Sequence, residues 1–319
     1  MSQTLNHMDP RLLSGKIKER ARAEGFDKVG IVRAEALALE REHLREWLER
    51  GYAGEMSWME RDVCKRTDPR EIFPWAKSVI VVALNYFTNH HHAGIPGTGK
   101  VSRYAWGDDY HDVVGTKLRS LLNWIREELP QAEGKICVDI QPMMDKAWAV
   151  RAGLGWLGKH TNLITLEHGS WVFVGELLLN IDLEYDAEQI EDHCGTCTLC
   201  IEACPTGAIP EPYMVDSTRC LSYATIELRD PELPEEVENK MEGWFYGCDI
   251  CQDVCPWNRF EQATHESSFE PRAGNVEVGL TEILELTPAT YAERFRHSAM
   301  KRAKLAGLQR NARALLEQQ

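Results

Sequence analysis

"HCGTCTLCIEACPTGAI", residues 193–209, sets Cys194, Cys197, Cys200 and Cys204 at intervals of C-x2-C-x2-C-x3-C and places Pro205 directly after the last. This is the spacing of paired [4Fe-4S] ligation, in which the fourth cysteine of one run ligates the other cluster. Such a run needs a second cysteine group elsewhere. "YGCDICQDVCPWN", residues 246–258, supplies Cys248, Cys251 and Cys255-Pro256, one cysteine short at its start. Cys220, in "STRCLSYATIE" at 217–227, is the remaining thiol, separated from its group by an insertion. The pattern assigns Cys194, Cys197, Cys200 and Cys255 to one cluster, and Cys220, Cys248, Cys251 and Cys204 to the other. Zinc ribbons also use C-x2-C pairs, but four thiolates around one ion do not account for a compact triple followed by a fourth Cys-Pro.

The chain has 319 residues, 43% of them apolar, ten cysteines and a formal net charge of −14. That length accommodates a sizeable core and more than one folding unit without disulfide staples. The first 25 residues hold no apolar signal core and no twin-arginine pair, and runs such as "VIVVAL" at 79–84 are too short to span a bilayer. A soluble, cytoplasmic, monomeric protein with no membrane partner is expected. In a reducing cytosol, clustered cysteines are metal ligands or redox groups rather than disulfides. Cys64 and Cys137 stand apart and read as ordinary thiols. The acidic total disfavours a protein that coats nucleic acid. From Tyr291 onward, however, seven Lys/Arg accompany only two Glu.

The texture of the chain divides it in three. Residues 1–184 alternate helices and strands. They comprise an amphipathic helix within 8–25 broken at Gly25, a strand at 28–32, a helix at 38–50 and the buried strand "KSVIVVALNYF" at 77–87. A helix from near His111 to Pro130 follows, with Asp108 as its cap. Then come the strand "KICVDI" at 135–140, the helix "MMDKAWAVRAG" at 143–153 and the long strand "SWVFVGELLLNI" at 170–181. This predicts an α/β (α+β) domain with helices packed on its sheet. Residues 185–262 form a small ferredoxin-like module, and residues 263–319 a helical C-terminal segment. Gly153, Gly155 and Gly158 around Trp156 imply a close backbone approach, to a flat ligand or within a tight turn. "HHH" at 90–92 lies in a Gly/Pro loop without matching carboxylates and is not read as a metal site.

"SRYAWGDDYH" at 102–111, "VDIQPMMDKAWAVRAGLGWLGKHTN" at 138–162, "GSWVFVGELLLN" at 169–180, both cysteine runs, "RCLSYATIE" at 219–227 and "MKRAKLAGLQRNA" at 300–312 resemble, in that order, the epoxyqueuosine reductase family over essentially the whole chain. The resemblance implies a cobalamin-binding fold related to reductive dehalogenases, with the two-[4Fe-4S] module beside it. It also implies the last step of queuosine biosynthesis: reduction of epoxyqueuosine to queuosine at the wobble position of tRNAs with a GUN anticodon, those for aspartate, asparagine, histidine and tyrosine. A low-potential electron donor would feed the clusters. The competing readings are a cobalamin-dependent reductive dehalogenase of small organohalides and a non-catalytic electron carrier. The chain departs from the family pattern in the "IQP" that follows Asp139, where a small run such as Thr-Gly-Pro is common, and it ends without the helical-repeat extension of longer members.

Removing an epoxide oxygen to leave an alkene takes two electrons, two protons and loss of water. A carboxylic acid that supplies a proton at neutral pH needs its pKa lifted by about three units, at a cost near 4 kcal/mol. The resemblance implies Asp139 as the proton donor and Asp109 as a second carboxylate near the substrate. It implies Arg66, Ser102, Asp139, Gly158, Lys159, His160, Ser222 and Asp249 as cobalamin contacts. Lys301, Arg302, Lys304 and Arg310 are expected at tRNA phosphates, with salt-sensitive binding.

Overall fold

The computed structural model describes residues 9–186 and 189–318. Met8, the start of the first expected helix, and Ala187 and Glu188, near the start of the cysteine module, lie outside the described residues. Nine strands are seen among those residues: β1 (Lys28–Arg33), β2 (Ser78–Asn85), β3 (Thr98–Val101), β4 (Gly134–Cys137), β5 (Trp156–Leu157), β6 (Leu163–Ile164), β7 (Val172–Leu179), β8 (Trp244–Tyr246) and β9 (Glu277–Gly279).

The main sheet has the order β1-β2-β7-β4 and is antiparallel throughout. All eight residues of β2 are buried because both faces of the sheet are covered, which is why its sequence reads as a continuous apolar run rather than an alternation. On one face lie α1 (Pro10–Ala23) and α2 (Tyr110–Glu128), packing Leu13, Ile17, Val114, Leu118 and Leu121 over Ile80, Val82 and Leu177. On the other, α3 (Asp145–Arg151) sets Trp148 and Ala149 against Val79, Val81 and Leu178. The buried residues of α1 and α2 recur every three to four positions, the amphipathic spacing expected of a helix with one covered face.

Two local expectations are corrected. α2 is capped by Asp109, whose side chain accepts the His111 N–H at 3.0 Å; Asp108 instead binds the Arg272 guanidinium at 2.6–2.8 Å. β4 stops at Cys137, paired with Glu176, two residues before Asp139. Asp139 takes φ +51, a left-handed conformation that an extended strand cannot contain.

A second sheet, β8-β3-β9, takes one strand from each of the three sequence segments. Behind it α4 (Leu221–Ile226) and α5 (Lys304–Glu317) contribute Leu221, Ala224, Leu308, Ala312 and Leu315 to one core with Val101, Phe245 and Val278. Among the described residues no helix is long and apolar enough to cross a membrane.

Candidate cluster and proton-donor site

The eight clustered thiols are all free and fall into two neighbouring groups. Cys200 is pushed up to about 11 by burial and by the charges of Cys255, Cys194 and Cys197. Burial likewise raises Cys251, and Cys220, Asp249, Cys200 and Cys204 add to it; Cys248 is raised by burial with Cys251 and Cys220 facing it. The fold therefore brings Cys255 from the second run to the first three cysteines, and Cys204 to Cys220 and Cys251. Thiols packed this tightly resist ionisation until iron supplies compensating positive charge. Two of the three histidines at 90–92 take ordinary polar partners: His90 meets Glu270 at 3.1 Å and His92 meets the Val101 carbonyl at 2.9 Å.

Short-range contacts explain how the first group is held. Lys159, 8% exposed, donates to the carbonyls of Gly195 at 2.6 Å and Cys197 at 2.9 Å. Its ammonium is thus committed to the first cysteine loop and is not a contact on the Asp139 side. The Trp156 ring packs edge-on against Trp257 and His193, beside the first cysteine run. Gly155 and Gly158 do approach backbone closely, but the neighbour is their own hairpin. A Cβ on Gly155 would meet the Ile164 carbonyl oxygen at 2.0 Å, and one on Gly158 would meet the Ile164 side chain at 2.6 Å. The tight-turn reading of these glycines accounts for them.

Asp139 sits at the C-terminal end of β4, where the sheet opens. The Tyr110 hydroxyl donates to its Oδ2, and His111 Nε2 lies 3.9 Å from the same oxygen. His111 Nδ1 in turn meets Asp109 Oδ1 at 2.6 Å. Burial opposes charge on His111, but the hydrogen bond and charge of Asp109, with Asp139 and Asp112 behind it, hold its pKa above the ordinary histidine value. Burial would raise Asp109, and the His111 bond outweighs it and keeps the carboxyl below the usual range. Tyr110 stacks on Phe173 with ring centroids 4.4 Å apart, which fixes the hydroxyl toward Asp139. Tyr110 and His111 follow Asp109 directly in "GDDYH", yet nothing in that run signals that both turn toward residue 139.

Ser102 and Asp249 meet across the fold: Ser102 Oγ donates to Asp249 Oδ1, and the Arg103 N–H donates to Oδ2 at 2.7 Å. Burial pushes Asp249 up to about 7. Arg103 is pinned beside this pair, its guanidinium lying 4.5–5.1 Å from the ring centres of Trp106, Phe87 and Trp171. Ser222, in the first turn of α4, faces Cys220 with its backbone N–H. Arg66 lies on the short helix Val63–Thr67; burial lowers its pKa, Asp62, Asp145 and Asp139 surround it, and its Nε has no partner. His160 is 4% exposed; Nδ1 accepts the Asn162 N–H at 3.1 Å, so Nε2 carries the proton, and it too is unpartnered. Burial and the charge of Lys146 hold His160 down to about 4.

In the C-terminal segment, Lys301, Arg302 and Lys304 are exposed. Arg302 grips Glu227 with two bonds of 2.7 and 2.8 Å and lies over Trp58. Arg310 corrects the expectation of a phosphate contact. It is 5% exposed and donates to the carbonyls of Ala224, Asp230 and Leu228 at 2.6, 2.8 and 3.1 Å, tying α5 to α4.

Comparisons with known proteins converge on these same segments. A family model described as epoxyqueuosine reductase QueG, DUF1730 matches residues 66–140, and a 4Fe-4S double cluster binding domain matches residues 193–258, which contain all eight clustered thiols. The cysteine module therefore binds iron–sulfur clusters. Epoxyqueuosine reductases of Synechocystis sp. and Cellulophaga algicola are 48% and 46% identical, over 86% and 93% of this chain and 95% and 96% of theirs. A crystal structure of epoxyqueuosine reductase with a tRNA-Tyr epoxyqueuosine-modified stem loop matches with a TM-score of 0.90 at 32% identity, covering 97% of this chain and 82% of that one. The Bacillus subtilis enzyme, in a form with its catalytic aspartate loop swung out of the active site, matches with a TM-score of 0.89 at 31% identity and the same coverage. Relatives that align nearly end to end at this identity share more than an architecture, and the chain accordingly belongs to the epoxyqueuosine reductase family of oxidoreductases.

Proposed function

We propose that this chain reduces epoxyqueuosine to queuosine at the wobble position of tRNAs with a GUN anticodon, drawing electrons through two [4Fe-4S] clusters to a cobalamin. The observation that carries the reading is the placement of Asp139, held by the Tyr110 hydroxyl with His111 Nε2 3.9 Å from the same oxygen, on a chain whose 4Fe-4S double cluster segment supplies the electrons.

The buried polar groups expected to contact cobalamin suit a corrinoid, whose periphery carries amides. Arg66 Nε and His160 Nε2 are buried donors without protein partners, and such donors are costly unless an acceptor meets them. Ser222 and the Ser102–Asp249 pair would lie along the face toward the second cluster. When bound, cobalamin supplies a low-valent cobalt able to deliver the two electrons. Asp139 then protonates the epoxide oxygen as the C–O bond breaks. Tyr110 holds the Asp139 carboxyl by its hydroxyl, and His111, its pKa raised by Asp109, stands ready to return a proton to Asp139 for the second step. Loss of water completes the balance: epoxide, two electrons and two protons give alkene and water. Lys301, Arg302 and Lys304 form an exposed basic stretch for tRNA phosphates, and a reaction on tRNA suits a cytoplasmic protein.

The test is an anaerobic assay of cluster-loaded protein with a strong artificial reductant and an epoxyqueuosine-modified anticodon stem loop, read by nucleoside mass spectrometry. Loss of one oxygen only when cobalamin is added is the expected result. No conversion, with both clusters and bound cobalamin verified by absorbance, would overturn the assignment.

A further inference from the structure

Lys159 stands in the turn of the β5–β6 hairpin, where the Gly158 N–H donates to the Asn162 carbonyl and the Thr161 N–H to the Gly158 carbonyl, both at 2.8 Å. The turn is therefore fixed, and the Lys159 side chain leaves it for the first cysteine run. Its ammonium, on a residue 8% exposed, bridges the carbonyls of Gly195 and Cys197 at 2.6 and 2.9 Å. The backbone of Lys159 reaches the same run by a second route. Its carbonyl accepts the Tyr213 N–H at 3.0 Å, the Tyr213 hydroxyl donates to Asp192 Oδ2, and Asp192 Oδ1 accepts the Cys194 N–H at 2.7 Å. Gly195 and Thr196 are exposed, so water or any neutral donor could serve the two carbonyls. What a covered lysine adds to them is a whole positive charge, and covering it costs solvation and side-chain freedom. Among the described residues no other Lys or Arg side chain donates a hydrogen bond to residues 194–200.

We propose that Lys159 is a positioning residue for the first iron–sulfur cluster and raises its reduction potential, the ammonium fixing the loop between Cys194 and Cys197 while its charge favours the reduced state. A cluster ligated by four thiolates is an anion, and each electron it takes makes it more negative, so a cation held beside it stabilises the reduced form more than the oxidised one. One electron passes from a low-potential one-electron donor to the cluster. The ammonium keeps its protons throughout, so the added charge is compensated without proton transfer and no further reactant is consumed. Both bonds of the Lys159 ammonium go to the first run. The effect therefore belongs to the cluster of Cys194, Cys197, Cys200 and Cys255 and not to its neighbour.

The inference rests on the proposed electron relay only for its part in turnover, and the potential is read without tRNA or cobalamin. Full-length protein with both clusters loaded is titrated anaerobically against redox mediators, each cluster being followed by electron paramagnetic resonance as it takes one electron. Lys159→Gln keeps a donor for one carbonyl and loses the charge. In that variant the ratio of reduced to oxidised first cluster at a given potential should fall by about tenfold, a shift of about 59 mV to lower potential for one electron, while the second cluster keeps its wild-type midpoint. Lys159→Arg, which keeps the charge, should stay close to wild type in both. Unshifted midpoints in Lys159→Gln, equal shifts of both clusters, or a shift in Lys159→Arg as large as that in Lys159→Gln overturns the proposal. Should Lys159→Gln fail to load the first cluster, Lys159→Met, uncharged and of similar length, takes its place. Loss of that cluster in both neutral variants, with Lys159→Arg loaded, would make the lysine a structural tie and overturn its part in the potential. Should wild type reduce no epoxyqueuosine, the reaction assignment falls while the midpoints still judge Lys159.

Discussion

Asp109→Asn separates two duties that one side chain performs. Asparagine caps a helix about as well as aspartate, so the bond to the His111 N–H at 3.0 Å survives. The charge beside His111 Nδ1 at 2.6 Å does not. The pair is largely covered, with side-chain exposures of 27% and 23%, so the bond counts as a charge-assisted one worth about 2 kcal/mol. Its loss lets the His111 pKa fall back toward the ordinary histidine value. The alkaline limb of single-turnover kcat should then move to lower pH, with turnover on that limb falling by about tenfold. Stability gives a second signature with a definite sign. The His111 contribution is full below an unfolded value of about 6.5 and fades as pH rises through its raised folded value. The Asp109 contribution is present above an unfolded value of about 3.9 and fades as pH falls through its lowered folded value. Urea unfolding of wild type and variant should therefore differ most at mildly acidic pH and converge in alkali. An unshifted alkaline limb in a variant that shows this stability signature would refute His111 as the group that returns the proton.

Four further outcomes follow from the same geometry. Asp139→Asn should keep both clusters and bound cobalamin by absorbance yet lose turnover by at least about a hundredfold, the scale of a missing general acid; wild-type turnover would remove Asp139 from that role. Cys255→Ser should damage the cluster of the first cysteine run although it belongs to the second, because it faces Cys194, Cys197 and Cys200; electron paramagnetic resonance showing the second cluster lost and the first intact would overturn the crossed grouping. Arg310→Ala should lower unfolding stability by about 3 kcal/mol, since two buried carbonyls and one part-buried carbonyl lose their donor. Lys301→Ala and Lys304→Ala should instead leave stability unchanged and weaken stem-loop binding, each lowering the salt dependence by about one counterion; unchanged affinity at low salt would exclude this stretch from the tRNA surface.

What could be read in the sequence is what depends on local order. Cysteine spacing encodes ligation because a cluster needs thiols within a few residues of one another, and the proline after each last cysteine marks the end of a run. The crossing of Cys255 and Cys204 follows from the same pattern. The apolar run of β2 and the periodicity of α2 come from burial on a repeating geometry, so they too are visible in one dimension. Tertiary contacts decided the rest. Arg310 sits in a basic tail and looks like a phosphate ligand until α4 and the turn after it place three carbonyls around it. Gly155 and Gly158 read equally as a ligand cradle or a turn until Ile164 fills the space. Glu176 lies in "VFVGELLLN", where a polar residue in a strand ordinarily marks the solvent face; here α3 covers that face. The hydroxyl that orients Asp139, that of Tyr110, arrives from 29 residues away in the chain. Ligand type and helix period are properties of neighbouring residues, whereas burial, pairing and pKa belong to whatever the fold brings alongside.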